Sequence, residues 1–447
     1  MANFITTSIS QYAKEGFDFF LKPLFVGNSP FATPGIAYEG EVRGKKKLNM
    51  WGNSTAAKIV KKYVKGFDGS SIATFTQRTI ETHQLKAEAS QDANEFFDTV
   101  YAYAQNNGID WNNVSGTVFE QILVQIWQQA VASDIFRQYW LADTNKEKIT
   151  SGVFNGTADD DYNMFDGMWK LLIDNATTSP TTDDHIKRVA FSNGAVAQVS
   201  TVTLTTGSSG DLILSLMGVD YTVAYGTSYT ATAALFVTTH AADIAKRGVT
   251  VTSSTADIVF TSSIAGQPFG APTFHADSDV TGSVAATTAN TAPADLSADE
   301  ALGALKSLRK TADPILREVP AADKVFLVSD SVYYNYLESI EGFNSTYTWT
   351  TEDGRNLMIN GANVLNFSGS MVIKMGWDFH LDNDFPTAYP HRIIYTEKNN
   401  LRIGFDTTND TNAVEMWYDQ NNQENRFRVQ FHMGCQYVHG RLTAVAY

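Results

Sequence analysis

The residues best able to do chemistry lie in one short run, Asp378-Phe379-His380-Leu381-Asp382-Asn383-Asp384. In extended chain, successive side chains alternate between faces, so Asp378, His380, Asp382 and Asp384 would project together. Carboxylates gathered in this way suit a hard divalent cation such as Ca²⁺ or Mg²⁺. The preferred reading is simpler, a solvated acidic loop, because acidic surface runs are common and nothing obliges this one to be extended. Asp159-Asp160-Asp161 reads as a polar loop on the same grounds. The single cysteine, Cys435, reads as a small buried apolar residue rather than a nucleophile. His240 falls on the apolar face of a helical repeat and reads as a hydrogen-bonded core residue. No glycine-rich phosphate loop, paired-cysteine zinc spacing or nucleophile elbow occurs. The sequence thus offers no catalytic constellation and implies no cofactor.

Charge is the more distinctive signal. Between Val42 and Phe67 stand eight basic residues, Arg43, Lys45, Lys46, Lys47, Lys58, Lys61, Lys62 and Lys65, with no acid among them. Setting these eight aside leaves 25 basic against 48 acidic residues. A basic segment on so acidic a body can dock on a neighbouring copy of that body; the plainer reading is a solvated loop. The overall charge of −15 argues against a general nucleic-acid binder. One cysteine in 447 residues excludes an internal disulfide framework. The opening Met1-Ala-Asn-Phe-Ile-Thr-Thr lacks a basic n-region, and no stretch approaches the roughly 18 apolar residues of a membrane span. Export by the usual route and membrane insertion are therefore not expected.

The elements that would position these residues can be read in order. Residues 1–36 are rich in phenylalanine and broken by Pro23, Pro30 and Pro34, which favours an extended arm. The basic stretch follows, and Phe75, Arg78, Ile80, Thr82 and Gln84 read as the returning strand of a long excursion. Helices are predicted over 91–105 and from Thr117, where Thr117 and Glu120 form a capping box, to about Trp140. Phe119, Ile122, Leu123, Ile126, Ala130 and Val131 recur on its apolar face. Phe165, Met168, Trp169, Leu172 and Ile173 predict a shorter amphipathic helix.

From Val189 to Gly270 only six residues are charged, and Thr and Ser dominate. The pattern there is strand, strand, helix, strand, strand, an inserted α+β module over 189–289 that ends its helix at Lys246-Arg247-Gly248. Phe274 to Ala294 reads as a linker back to the host. A second capping box, Ser297 with Glu300, opens a helix carrying Leu302, Leu305 and Leu308. Val325 to Val328 suit a central strand, Ser331 to Ile340 a helix, and strands dominate to the end, most clearly Phe427, Val429, Phe431 and Met433.

Several segments carry a resemblance. Asp313-Pro-Ile-Leu-Arg-Glu-Val-Pro, Lys324-Val-Phe-Leu-Val-Ser-Asp-Ser-Val-Tyr-Tyr-Asn-Tyr-Leu, Pro390-His-Arg-Ile-Ile-Tyr-Thr, Asn400-Leu-Arg-Ile-Gly and Phe427-Arg-Val-Gln-Phe-His-Met-Gly-Cys-Gln-Tyr resemble major capsid proteins of tailed double-stranded DNA phages. The likeness is greatest to phages of Bacteroidota, with a crAss-like affiliation as one option, and Tyr162-Asn-Met-Phe-Asp-Gly-Met-Trp-Lys-Leu-Leu adds to it. The resemblance spans about Ile36 to Tyr447 apart from the insertion, and its specificity rests on the order of the pieces.

It implies the Hong Kong 97 capsid fold, of α+β class. That fold would divide the chain into an N-terminal arm (1–36), an extended loop (37–88) and a peripheral domain with its spine helix (89–150). An axial domain (151–188 and 290–385), interrupted by the Thr-rich module, would precede C-terminal strands (386–447) that return to the peripheral domain. It further implies pentamers and hexamers of this chain closing into an icosahedral shell around double-stranded DNA held without sequence specificity. Assembly would take place in the host cytoplasm, with portal, scaffolding or decoration proteins as partners. The basic loop would then lie on the adjacent subunit; some relatives crosslink a lysine to an asparagine there, and Lys45 to Lys47 stand where such a lysine could lie, but with no identifiable partner Asn or assisting Glu crosslinking is not expected. Alternatives from other classes are an encapsulin-type nanocompartment shell, a phage tail or adhesin-like binding protein using the Thr-rich module, and a metal-dependent hydrolase using the His380 region.

Overall fold

The computed structural model describes residues 35–53, 62–63, 65–66, 73–92, 118–150, 153–178, 184–191, 195–263, 265–292, 294–342, 364–377, 390–406, 414–419, 421–422 and 424–447. Residues 1–34 of the expected arm, most of the predicted 91–105 helix and the whole Asp378–Asp384 run lie outside them.

The chain opens with β1 (Ile36–Glu39), β2 (Lys45–Asn53), β3 (Ala73–Glu81) and β4 (His83–Asp92). Gln91 and Asp92, expected to begin a helix, end β4 instead, where they pair with Asn425 and Glu424. The long helix α1 (Val118–Leu141) stands where the capping box placed it. Its buried face is Trp127, Val131, Ile135, Phe136, Tyr139 and Trp140; Ala130, expected on that face, is exposed, because the apolar stripe follows 127, 131 and 135 and leaves 130 on its flank. A hairpin of β5 (Glu147–Thr150) and β6 (Val153–Ala158) leads to α2 (Met168–Asn175), which buries Met168, Trp169 and Leu172; Phe165 precedes the helix but is buried with them. β7 (Ala176–Thr177) and β8 (Ile186–Val189) follow.

Residues 195–292 form a unit with its own core. It comprises β9 (Val199–Thr206), β10 (Asp211–Leu216), β11 (Val219–Ala224), α3 (Tyr229–Lys246), β12 (Val249–Ser254), β13 (Asp257–Ser262), β14 (Thr273–Phe274) and β15 (Thr281–Thr288). Three strands precede the helix, not two: β10 pairs with β11 as a hairpin that turns at Met217-Gly218, both at positive φ. The stretch expected to be linker supplies β14 and β15, and β15 pairs with β9. Its composition hid it, because an exposed strand needs backbone pairing but not large apolar side chains. Helix α3 ends at Arg247 and Gly248, the latter at φ 73, as expected. His240 Nε2 lies 3.1 Å from the Thr222 carbonyl and its ring packs on Tyr221 and Phe236, so it is satisfied as expected but half-buried at the edge of the core and not within it.

The chain then runs through α4 (Glu300–Thr311), α5 (Pro314–Glu318), β16 (Lys324–Val328), α6 (Asp330–Gly342), β17 (Val364–Phe367), β18 (Ser370–Lys374), β19 (Ile393–Glu397), β20 (Leu401–Phe405), β21 (Val414–Asp419), β22 (Glu424–Tyr437) and β23 (Thr443–Ala446). At the start of α4 the Glu300 carboxylate accepts from the Ser297 N–H at 2.9 Å, the returning half of the expected capping box.

Two sheets dominate. One has the order β1-β20-β22-β21, with β4 on the free side of β22; the other runs β17-β18-β16-β19-β23-β8-β7. The C-terminal strands thus divide between the sheets, β20 to β22 in the first and β19 and β23 in the second. β16 is central and buried throughout. Val325 and Leu327 face the core shared with α1 and α2, while Phe326 and Val328 face the core of α4 and α6, which explains its unbroken apolar run. Trp377 joins the first core, 5.1 Å from both Trp140 and Trp169. The class is α+β.

Candidate interface at the basic hairpin

β2 and β3 form a two-stranded antiparallel hairpin in continuous register from Lys45 opposite Glu81 to Asn53 opposite Ala73. Nine residues at about 3.3 Å each give it a reach of roughly 30 Å. The excursion is shorter than 37–88, because β1 and β4 at its two ends pair into the five-stranded sheet.

Alternation sorts the hairpin into two faces. Lys46, Leu48, Arg78 and Ile80 turn inward, while Lys45, Lys47, Asn49, Gln77, Thr79 and Glu81 are exposed. The inward face rests on Val42 and Val438, and Ile80 is wholly buried. Gly404 makes room for it, since a β-carbon there would lie 2.8 Å from Ile80 Cδ1.

The basic residues fall into distinct environments. Lys45 Nζ is 2.9 Å from Glu81 Oε2 across the strands, and that hydrogen bond holds the Glu81 carboxyl below its ordinary range. Lys46 Nζ donates to Glu39 Oε2 at 2.8 Å, and the other Glu39 oxygen accepts from Arg402 at 2.9 Å. Both lysines are therefore paired within their own chain: Lys45 ties β2 to β3, and Lys46, through Glu39 and Arg402, ties the hairpin base to β1 and β20. Arg43 is exposed near the turn at Gly44. Lys47, Lys62 and Lys65 are exposed and have no acidic partner among the described residues. Between the last two, Tyr63 is 89% exposed. Lys58 and Lys61 lie outside the described residues, as do Asp378, His380, Asp382 and Asp384. Among the described residues no group of His, Cys, Asp and Glu is arranged to hold a metal ion.

The anchor of the hairpin escaped the sequence reading. Arg78 donates through Nε and Nη2 to Asp184 Oδ2 at 3.0 and 2.7 Å, and its guanidinium lies 3.9 Å from the centre of the Tyr437 ring. Burial pushes the Tyr437 phenol up to about 12. Asp184 Oδ1 also accepts from the Gly440 N–H at 2.6 Å and lies 3.5 Å from His439 Nδ1. No local spacing signals a partnership that spans 106 residues. Asp159, read as part of a polar loop, is buried and accepts from the Asp161 N–H in a tight turn. Cys435 is buried and its thiol donates to the Asp166 carbonyl at 3.3 Å.

The hairpin thus has an anchored base and a polar outer face that carries Lys47, with Lys62 and Lys65 in the connection between its strands. No helix among the described residues is long and apolar enough to cross a membrane.

No family model and no curated protein matches the chain. Among solved structures, the chain is similar to one titled as the procapsid of satellite phage P4 including size determination protein, at 8% identity and TM-score 0.41 over 100% of this chain and 91% of that one. It is also similar to the capsid of a native GTA particle, at 9% identity and TM-score 0.40 over 94% and 91%. A third is the capsid of cyanophage P-SCSP1u, at 9% identity and TM-score 0.33 over 92% and 85%.

Proposed function

We propose that this chain is a structural major capsid protein of a tailed double-stranded DNA phage, built on the Hong Kong 97 plan with the 195–292 unit inserted. Copies would assemble as pentamers and hexamers into a virion shell that encloses DNA without reading its sequence. Portal, scaffolding and decoration proteins are the other expected partners. Its function lies in surfaces and not in a catalytic pocket. The ordered C-terminal segments, the arm-like hairpin and the long helix against a sheet all support this reading.

The observation that carries it is the set of hairpin cations that no acid among the described residues neutralises. Lys47, Lys62 and Lys65 stand exposed and without acidic partners among the described residues, on a chain of net charge −15. Cations presented by an acidic protein are attracted to another copy of that protein. Lys45 and Lys46, occupied by Glu81 and Glu39, serve the base of the arm instead. The test is a Lys47→Glu, Lys62→Glu, Lys65→Glu triple variant. It should keep the circular dichroism and melting of the parent but fail to assemble; normal shells from that variant would contradict the proposal.

A further inference from the structure

Between Gly303 and Arg317 the chain buries one face and turns the other to solvent. Ala304, Leu305 and Leu308 of α4, Ala312 after it and Leu316 of α5 lie in the core beneath. The exposed residues are the cations Lys306, Arg309, Lys310 and Arg317, with Gly303, Thr311 and Pro314 among them. The single acid of this stretch, Asp313, is 4% exposed and already engaged: Oδ1 accepts from the Ile315 N–H and Oδ2 from Arg441 Nε, each at 3.0 Å. Arg309 Nη1 donates to the uncharged Ser368 hydroxyl at 2.6 Å. Lys306, Lys310 and Arg317 have no acidic partner among the described residues.

Helix ends explain part of this charge. The carbonyl end of a helix favours cations, and Arg309 and Lys310 stand in the last turn of α4, as Arg317 does in that of α5. The dipole does not explain Lys306, which lies before the last turn and shares a side of α4 with Lys310. Nor does it explain why no exposed acid interrupts the stretch; along the chain, acids reappear only at its margins, at Glu300 and Glu318. On a chain of net charge −15 this is a second cationic face, and the buried residues between its cations hid it from the sequence reading.

We propose that this face of α4 and α5 binds the phosphodiester backbone of nucleic acid without reading its bases. The make-up of the face selects that partner over the acidic surface of a protein. Protein interfaces draw their energy from apolar and aromatic anchors and are depleted in lysine, and no large exposed hydrophobic lies between Gly303 and Arg317. The hairpin differs in this respect, since Tyr63 stands 89% exposed between Lys62 and Lys65. Phosphate contacts need only cations and hydrogen-bond donors. Helix α4, of 12 residues, is about 18 Å long, a length over which a duplex carries roughly ten charges, so Lys306, Arg309 and Lys310 can each meet a phosphate. At 0.1 M salt, acids more than about 10 Å away are largely screened, so a local face can hold a polyanion, weakly, on a chain that is acidic as a whole. The inference extends the reading of a shell that encloses DNA, yet the two fail separately. Chains that bind DNA but build no shells would sink only the shell reading, and shells built from chains that do not bind would sink only this one.

Fluorescence anisotropy of a short labelled DNA duplex, titrated with the full-length chain over a range of salt, tests it. Binding should weaken as salt rises and be the same for a duplex of scrambled sequence. A Lys306→Gln, Lys310→Gln, Arg317→Gln variant, unchanged in melting, should bind about tenfold more weakly at low salt. Its plot of log affinity against log salt should be shallower by about 2.7, since each lost phosphate contact removes about 0.9 from the slope. A Lys47→Gln, Lys62→Gln, Lys65→Gln variant of the hairpin should keep the parent's slope. Polyglutamate of equal total charge should compete about tenfold less well than unlabelled duplex. No binding at low salt, an affinity indifferent to the helix substitutions, an equal loss in the hairpin variant, or polyglutamate competing as well as duplex would each overturn the proposal.

Discussion

Arg78 and Asp184 meet at 2.7 Å although 106 residues separate them, and their contact ties the arm of the molecule to the loop before β8. The pair is largely shielded, with side chains 20% and 24% exposed, and the arginine is stacked on Tyr437. A half-buried, charge-assisted bond of this kind contributes about 1–3 kcal/mol. Asp184→Ala should therefore cost more than Arg78→Ala, because it also strips the Gly440 N–H of its acceptor. Arg78→Lys should recover little, since an ammonium cannot make the double contact or the stacking. Chemical denaturation checks the order, and hydrogen exchange should show the β2–β3 amides opening in each variant.

His439 gives the same region a pH dependence. Burial lowers its pKa from 6.5, against a smaller raising effect of Asp184. A histidine held neutral in the fold but free to protonate when unfolded adds protons to the unfolded state below pH 6.5, so stability should fall as pH drops from that value toward the folded pKa. Replacing His439 by Gln should flatten that part of a stability-against-pH curve while leaving the slope above pH 7 unchanged.

The fold was legible where periodicity and capping agree with burial, and illegible where backbone pairing alone decides. Val325 to Val328 and the alternation of Phe427 to Met433 carry a signal that side-chain burial wrote, and the α4 capping box one that hydrogen bonding at a helix end wrote. β15 carries none, since its residues are mostly exposed and its hold on β9 is backbone pairing with one threonine-to-threonine hydrogen bond, Thr287 to Thr201. The site divides in the same way. The run of cations was plain in the sequence, but its partition into Lys45 and Lys46, paired at home, and Lys47, Lys62 and Lys65, not so paired, depends on carboxylates brought in by register and topology. Glu81 meets Lys45 through the β2–β3 register, and Glu39 meets Lys46 across the turn from β1 into β2.

Gly434 should be intolerant of any side chain. A β-carbon there would fall 1.8 Å from the Glu81 carbonyl oxygen, at the corner where β3 passes into β4. Backbone cannot yield as a flexible side chain can, so Gly434→Ala should destabilise by about 3 kcal/mol or more. Gly404→Ala meets the movable end of Ile80 instead and should cost less. Thermal melting of the two variants side by side tests the ranking.

Cys435 should be inert in the native protein. Burial raises its thiol well above the ordinary value, and the nearby Asp166 carboxylate adds to the effect. Thiolate, the reactive form, is thereby suppressed. Maleimide labelling at pH 8 should be negligible until denaturant is added and stoichiometric afterwards; rapid labelling of folded protein would contradict this placement.

The claim that the chain builds shells is tested most directly by negative-stain electron microscopy of the purified full-length protein at assembly-promoting concentration. Closed icosahedral particles, or free rings of five and six subunits, are the predicted result. A uniform population of monomers or small discrete oligomers, unchanged by concentration and salt, would contradict it.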